Sequence, residues 1–260
     1  MESQYNPHRT RNIFSPLADK PYQLSRSKIN DYLKCPRCFY IDRRLGTGHP
    51  PSYAYTLNNA VDALLKKEFD IYRAKAERQP ELIKHGIDAI PFCHPNLEDW
   101  RMNQRGIRFH HLQTNFIVTG AIDDIWINAN HELIIVDYKA TSTSNEITLE
   151  NRESYKKQME IYQWLFRQNG FTVSTTGYFF FCNGDAAQDS FSGLLSFQIF
   201  PIAYRGDDSW VEATLYKIKD CLVQDNIPPC TETCDYCNYW AGVNQHVTSV
   251  SGLDTKDSSD

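Results

Sequence analysis

Residues 120–139 constrain this chain more than any other stretch. They read G-A-I-D-D-I-W-I-N-A-N-H-E-L-I-I-V-D-Y-K. Residues 115–128 are rich in β-branched and aromatic types, and residues 133–136 form a short apolar run. Between them Asn128, Ala129, Asn130 and His131 favour a turn. The pattern predicts a β-hairpin. Asp123 and Asp124 interrupt its first strand, while Asp137 and Lys139 close its second. The two-residue period of a strand sets Asp137 and Lys139 on one face and Tyr138 on the other. Isolated charges at the end of a buried strand are costly, so these need partners or a ligand.

Two carboxylates and a lysine suit a Mg2+-dependent phosphodiesterase site. Mg2+ prefers oxygen ligands, takes one or two carboxylates and keeps water in its other positions. Asp123 and Asp137 can supply those carboxylates from neighbouring strands. Asp124 replaces Asp123 if the strand register shifts by one residue. Lys139 can orient or activate an attacking water and offset charge near a scissile phosphate. The plain alternative is a structural Asp–Lys pair, because D-x-K is a short motif.

A chain of 260 residues suffices for one large domain or two small ones. Hydrophobic residues make up 41% and charged residues 23%, a globular balance. No apolar run approaches the roughly 18 residues that span a bilayer. Residues 1–11 are polar, unlike a secretory signal. These features predict a cytoplasmic protein with no membrane partner. The formal net charge of −5 gives no global sign of a nucleic-acid partner. Residues 1–46, however, carry nine Lys/Arg against four Asp/Glu. Such a local basic face can hold a phosphate backbone or can simply be solvated.

Residues 1–22 read as an irregular polar lead, because Pro7, Pro16 and Pro21 break any continuous helix. A helix opens near residues 24–28, capped by Ser25 or Ser27, with Ile29, Tyr32 and Leu33 on its apolar stripe. A long helix is predicted over about 56–76, with Leu57, Val61, Leu64, Leu65 and Phe69 as its core stripe and Asp62 near that stripe. Residues 79–104 read as short helices or loops. Strands are predicted at about 106–112, 115–120, 121–128, 132–138, 173–182 and 191–200. A helix over about 150–168 is stopped by Asn169 and Gly170, and places Gln158 and Tyr162 one turn apart. A last long helix covers 210–223. The composition predicts one domain over 23–241 and a disordered tail over 242–260. Strands and helices in this mixed order predict an α/β fold with a central mixed sheet flanked by helices. No Gly-rich phosphate loop or helicase motif is present, so any unwinding of a duplex would come from a partner.

Eight cysteines in such a chain read as metal or cluster ligands rather than disulfides. Cys93, Cys182 and Cys221 stand alone. Cys35 and Cys38 form one C-x2-C pair, and Cys230, Cys234 and Cys237 cluster near the other end. Pairing Cys35/Cys38 with Cys234/Cys237 gives the spacing of a Zn2+ site. Unliganded thiols are the alternative.

Four segments in order resemble the PD-(D/E)xK nuclease superfamily, in particular its RecB-like branch with the CRISPR-associated exonucleases. They are L-S-R-S at 24–27 with Cys35-Pro36, G-A-I-D ending at Asp123, V-D-Y-K-A around Asp137 and Lys139, and Gln158-x3-Tyr162. The resemblance implies a restriction-endonuclease-like core and hydrolysis of DNA with Mg2+ or Mn2+. Asp123 and Asp137 would be metal ligands, the Tyr138 carbonyl a further contact, and Lys139 the catalytic lysine. Gln158 and Tyr162 would contact DNA or brace the site. The implied setting is DNA repair, recombination or defence, with a helicase or another repair or adaptation protein as partner. The family usually offers a histidine in its long N-terminal helix. Asp62 stands there in this chain, and as a hard oxygen donor it suits Mg2+. That replacement also motivates the rival expectation of a decayed, non-cutting nucleic-acid-binding subunit. Many relatives hold a [4Fe–4S] cluster, which would here take Cys35, Cys230, Cys234 and Cys237, with Cys38 as a further candidate, and would join the N- and C-terminal segments.

Overall fold

The computed structural model describes residues 5–51 and 55–251, with side chains placed through residue 248. The described residues form two compact units. The larger comprises residues 21–27 and 52–214, and the smaller comprises residues up to 20, 28–51 and those from 215 onward. The chain changes unit within two helices, α1 (Arg26–Lys34) and α7 (Trp210–Val223). No helix among the described residues is long and apolar enough to cross a membrane.

The larger unit is a mixed α/β fold. Its main sheet has five strands in the order β2 (Ala89–Pro91), β5 (Asp124–Asn128), β6 (Leu133–Thr141), β7 (Thr176–Gly184) and β8 (Phe197–Arg205). The predicted hairpin is β5–β6, with Asp124 opposite Val136. Its turn is fixed by the Asn128 side chain, which accepts from the Asn130 and Glu132 amides at 3.0 and 2.9 Å. The β6 strand is buried over its first six residues, which is why Leu-Ile-Ile-Val reads as a continuous apolar run rather than an alternating one. Strand β7 lies parallel to β6 with Asp137 beside Phe179, and the crossover that parallel pairing demands contains α6 (Glu153–Gln168). Strand β8 closes the sheet antiparallel to β7.

One face of this sheet is covered by α3 (Thr56–Lys75). Phe69 is fully buried, its ring stacked on Trp126 at 5.5 Å and edge-on to Phe180 at 5.4 Å. Leu65 and Phe69 belong to that core, with Val61 packed against it, but Leu57 and Leu64 are exposed. These two lie seven residues apart on a second apolar stripe, so the helix carries more apolar surface than the sheet covers.

A separate three-stranded sheet orders β1 (Tyr22–Ser25), β4 (Phe116–Gly120) and β3 (Ile107–His111), with β1 parallel and β3 antiparallel to β4. The sequence predicts helix from residue 24. Pairing of Tyr22 through Ser25 with β4 overrides that preference, and the helix begins at Arg26. Gly120 is required by close packing. A Cβ there would stand 2.7 Å from the Tyr162 ring on α6. Two short helices, α4 (Pro80–Lys84) and α5 (Leu97–Arg101), lie in the stretch that reads as short helices or loops.

The smaller unit holds α2 (Pro36–Arg43), most of α1, the end of α7, and α8 (Asp235–Ser251). Asp42 is buried among Arg9, Arg43 and Lys28, with the last at 2.9 Å. The Tyr40 hydroxyl donates to the Gln224 carbonyl at 2.8 Å. Helix α8 runs on to Ser251, where composition predicts a tail from residue 242. The rest of that tail lies outside the described residues.

Phe69→Ala will destabilise the protein by about 3–5 kcal/mol, as expected for emptying a fully buried aromatic site. Leu57→Ala will stay within about 0.5 kcal/mol of the parent. Urea unfolding of the two variants beside the parent measures both.

Candidate active site

The hairpin brings two carboxylates and a lysine together at the ends of β5 and β6. Asp123 sits in the bend that enters β5, and its Oδ2 accepts from the Tyr138 amide at 2.8 Å. Asp137 is buried, and its Oδ2 is ion-paired with Lys139 two residues on, on the same face of β6. The Lys139 ammonium also lies 4.7 Å from the centre of the Tyr155 ring. From α6, Gln158 Nε2 donates to Asp137 Oδ1 at 2.5 Å and lies 3.4 Å from the Tyr162 hydroxyl. The two residues therefore act as one unit behind Asp137, as their one-turn spacing predicts.

Helix α3 supplies the rest. Asp62 and Lys66 form an ion pair at 2.7 Å, and the same ammonium lies 3.7 Å from Asp123 Oδ1. Asp62, Lys66, Asp123 and Lys139 line one cleft of about 600 Å³, with Asn58 and Tyr155 on its wall. Two carboxylates, Asp62 and Asp123, thus face the cleft with a lysine cation placed between them, and buried Asp137 lies behind, ion-paired with Lys139. Hard oxygen donors around a cation position fit Mg2+ or Mn2+.

Asp124 has a different job from its neighbour. It is fully buried, ion-paired with Arg73, 3.1 Å from Arg101, and accepts from the Tyr138 hydroxyl at 2.7 Å. Its oxygens are therefore occupied away from the cleft, and the alternative register with Asp124 in place of Asp123 is not the one adopted. Arg101 also donates from Nε to the Asp123 carbonyl at 3.1 Å, so the Asp124 cluster fixes the backbone that carries Asp123.

The electrostatics follow from crowding. Burial, then the nearby Asp137 charge, pushes the Asp123 carboxyl up to about 7, against the pull of Lys66 and Lys139. Burial alone would lower Lys139, but Asp137 and Asp123 outweigh it and hold the ammonium above its ordinary value. Lys139 is therefore a cation at neutral pH.

The sequence did not point to Lys66, Arg73 or Arg101. Lys66 stands four residues after Asp62, a spacing that favours an ion pair, but only the packing of α3 shows that the pair faces the β5–β6 hairpin.

In the smaller unit Cys35, Cys38, Cys234 and Cys237 place their sulfurs within 4.8 Å of one another. Each C-x2-C pair spans the first turn of a helix. Cys35 caps α2 and Cys38 lies within it, while Cys234 precedes α8 and Cys237 lies within it. Cys230, expected as a ligand, is exposed and outside the group. It lies in the irregular segment after Pro228 and Pro229, short of the α8 turn that aims the other two sulfurs, and Cys38 takes its place. Burial raises Cys35, but hydrogen bonds from the Thr231 and Cys38 backbone and from the Cys234 and Cys38 thiols bring it down to about 6. Burial, with Cys234 and Cys35, pushes Cys237 up to about 12 against the pull of Cys38. Four crowded thiols resist carrying more than one negative charge without a cation among them.

A family model described as the PD-(D/E)XK nuclease superfamily matches residues 23–241. Seven solved chains are similar. One of them, titled "Crystal structure of SSO0001", is 16% identical, with 79% of this chain and 78% of that chain covered and a TM-score of 0.31. No curated protein matches.

Asp123 gives the site a pH signature. Its carboxyl titrates near 7 in the folded protein against 3.8 as the ordinary value. Between these values the folded protein keeps a proton that the unfolded chain has released. Its contribution to stability therefore falls as pH rises through that window and levels off above it. Without added divalent ions, Asp123→Asn will gain on the parent as pH rises from about 4 to about 7, by roughly 5 °C in Tm. A constant Tm difference across that range would show that Asp123 does not carry the proton.

Proposed function

Because this chain belongs to the PD-(D/E)XK nuclease superfamily, we propose that it is a Mg2+- or Mn2+-dependent deoxyribonuclease whose centre is Asp123, Asp137 and Lys139. The observation that carries this is the convergence of Asp123 and Lys139, with Asp62, on the 600 Å³ cleft, and of buried Asp137 behind them, ion-paired with Lys139. The order of the four motifs supports placing it in the RecB-like branch and its work in DNA repair, recombination or defence, beside a helicase or adaptation partner.

Asp123 and Asp137 are the proposed metal ligands, with Asp62 and the Tyr138 carbonyl as further contacts. When bound, the ion supplies Lewis-acid polarisation of the phosphodiester and an acidified water. The protein's own contribution is positioning and charge. Gln158 donates to Asp137 Oδ1 and fixes the carboxylate's orientation, and Tyr162 backs Gln158. Lys139, held cationic, faces the charge that builds on the phosphoryl oxygens as the bond to the leaving oxygen breaks. Lys66 offers a second cation on the same cleft.

The four-cysteine site is best read as a structural Zn2+ site. Three of its sulfur–sulfur separations are 3.8, 3.5 and 3.5 Å. A tetrahedron with Zn–S bonds of about 2.3 Å has edges of about 3.8 Å. The cysteine sulfurs around a [4Fe–4S] cluster stand farther apart, because each bonds a different iron of the cube.

Labelled single- and double-stranded DNA with Mg2+ or Mn2+ tests the enzyme reading. Asp137→Ala and Lys139→Ala will each lower cleavage at least about 100-fold with circular dichroism unchanged, the loss typical of a removed charge-stabilising group. Cleavage equal to the parent in either variant would sink the assignment. A parent that binds DNA with salt-dependent affinity but cuts nothing would establish the decayed binding subunit instead. Metal analysis of the purified protein will find about one zinc per chain and no iron, and a brown protein with several irons and acid-labile sulfide would overturn the zinc reading.

A further inference from the structure

Next to the metal cleft lies a smaller one of about 290 Å³, lined by Ser25, Arg26, Ser27, Asn103, Arg105 and Thr119. Asn103 and Ala121 line both clefts, so the two are contiguous. Their chemistry differs. The larger holds carboxylates, whereas no carboxylate lines the smaller, in a chain of formal net charge −5. Arg105 is ion-paired with exposed Asp99, but among the described residues no carboxylate pairs with Arg26. The Arg26 guanidinium lies instead 5.7 Å from the centre of the Tyr162 ring, and Tyr162 contacts Gln158, which holds Asp137. Ser25 and Ser27 hydrogen-bond each other at 2.9 Å.

We propose that this cleft binds a nucleic-acid backbone phosphate adjacent to the one being cut. The inference rests on the nuclease reading and extends it along the substrate strand. A guanidinium that meets the Tyr162 side chain but no carboxylate presents a planar fork that fits two phosphate oxygens, and the serine and threonine hydroxyls donate to the same group. A phosphate fixed here sets where the neighbouring phosphate falls over Asp123 and Asp137. Such a contact positions the strand without reading its sequence.

Two variants and two substrates test it. Arg26→Ala removes the guanidinium. Ser25→Ala with Ser27→Ala removes two hydroxyls that serve one another, so no partner is orphaned. Hydrolysis of bis(4-nitrophenyl) phosphate, a single diester that fills only the metal cleft, will be unchanged in both. Affinity for a single-stranded oligonucleotide, measured with Ca2+ over a range of salt, will fall about tenfold in Arg26→Ala, and the salt slope will become shallower by about one. Unchanged affinity and slope in both variants would overturn the proposal. So would diester hydrolysis that falls in step with oligonucleotide binding, since Arg26 would then act on the metal cleft alone. If the parent hydrolyses neither substrate, the nuclease reading fails, while the binding arm still decides whether the cleft holds phosphate. Strands with and without a 5′-phosphate identify the source. Equal parental affinity for both supports an internal phosphate. A preference lost in Arg26→Ala would overturn that assignment and place a strand end in the cleft.

Discussion

Carboxylates withdrawn from water must have cations within reach, and most of the polar architecture of the larger unit answers that requirement. Asp123 and Asp124 are adjacent in sequence yet satisfied by different means. Asp124 is sealed by Arg73, Arg101 and the Tyr138 hydroxyl. Asp123 is left on the cleft, near Lys66, with a backbone amide for support. Burying a charge with full compensation makes a rigid anchor, whereas leaving one partly compensated makes a site. The hairpin separates the two tasks by one residue, because Asp124 enters the strand ladder and Asp123 precedes it.

That division explains what could be read beforehand. The hairpin, the shared face of Asp137 and Lys139, and the pairing of Gln158 with Tyr162 follow from backbone periods of two and 3.6 residues, which any sequence displays. The partners of Asp124 come from α3 and α5, 51 and 23 residues away. No local period encodes such contacts. Strand β1 was hidden for the same reason. Its four residues gain their place from parallel pairing with β4, some 90 residues later, and their own propensity favours the helix that follows. The stripe on α3 was legible as apolar, but choosing which of two apolar stripes meets the sheet requires the sheet.

The cysteines show the converse. Spacing alone singled out two C-x2-C pairs, and each pair opens a helix, so that one turn aims both sulfurs the same way. The third C-terminal cysteine, attractive as part of a count of four, fails because Cys230 has no helix to aim it. A ligand set is decided by the direction of side chains, and spacing predicts direction only inside regular structure.

The seat of Lys66 between Asp62 and Asp123 bears on how the proposed metal site would be filled. Under the proposed assignment a divalent ion would displace an ammonium rather than enter an open cleft. Loading would then be an exchange equilibrium, in which the lysine competes at an effective concentration set by its tether. The same ammonium would leave the depleted protein folded, with its carboxylates already neutralised. The larger unit would in this way tolerate metal scarcity, whereas the four thiols of the smaller one, on the proposed zinc reading, would depend on their ion throughout.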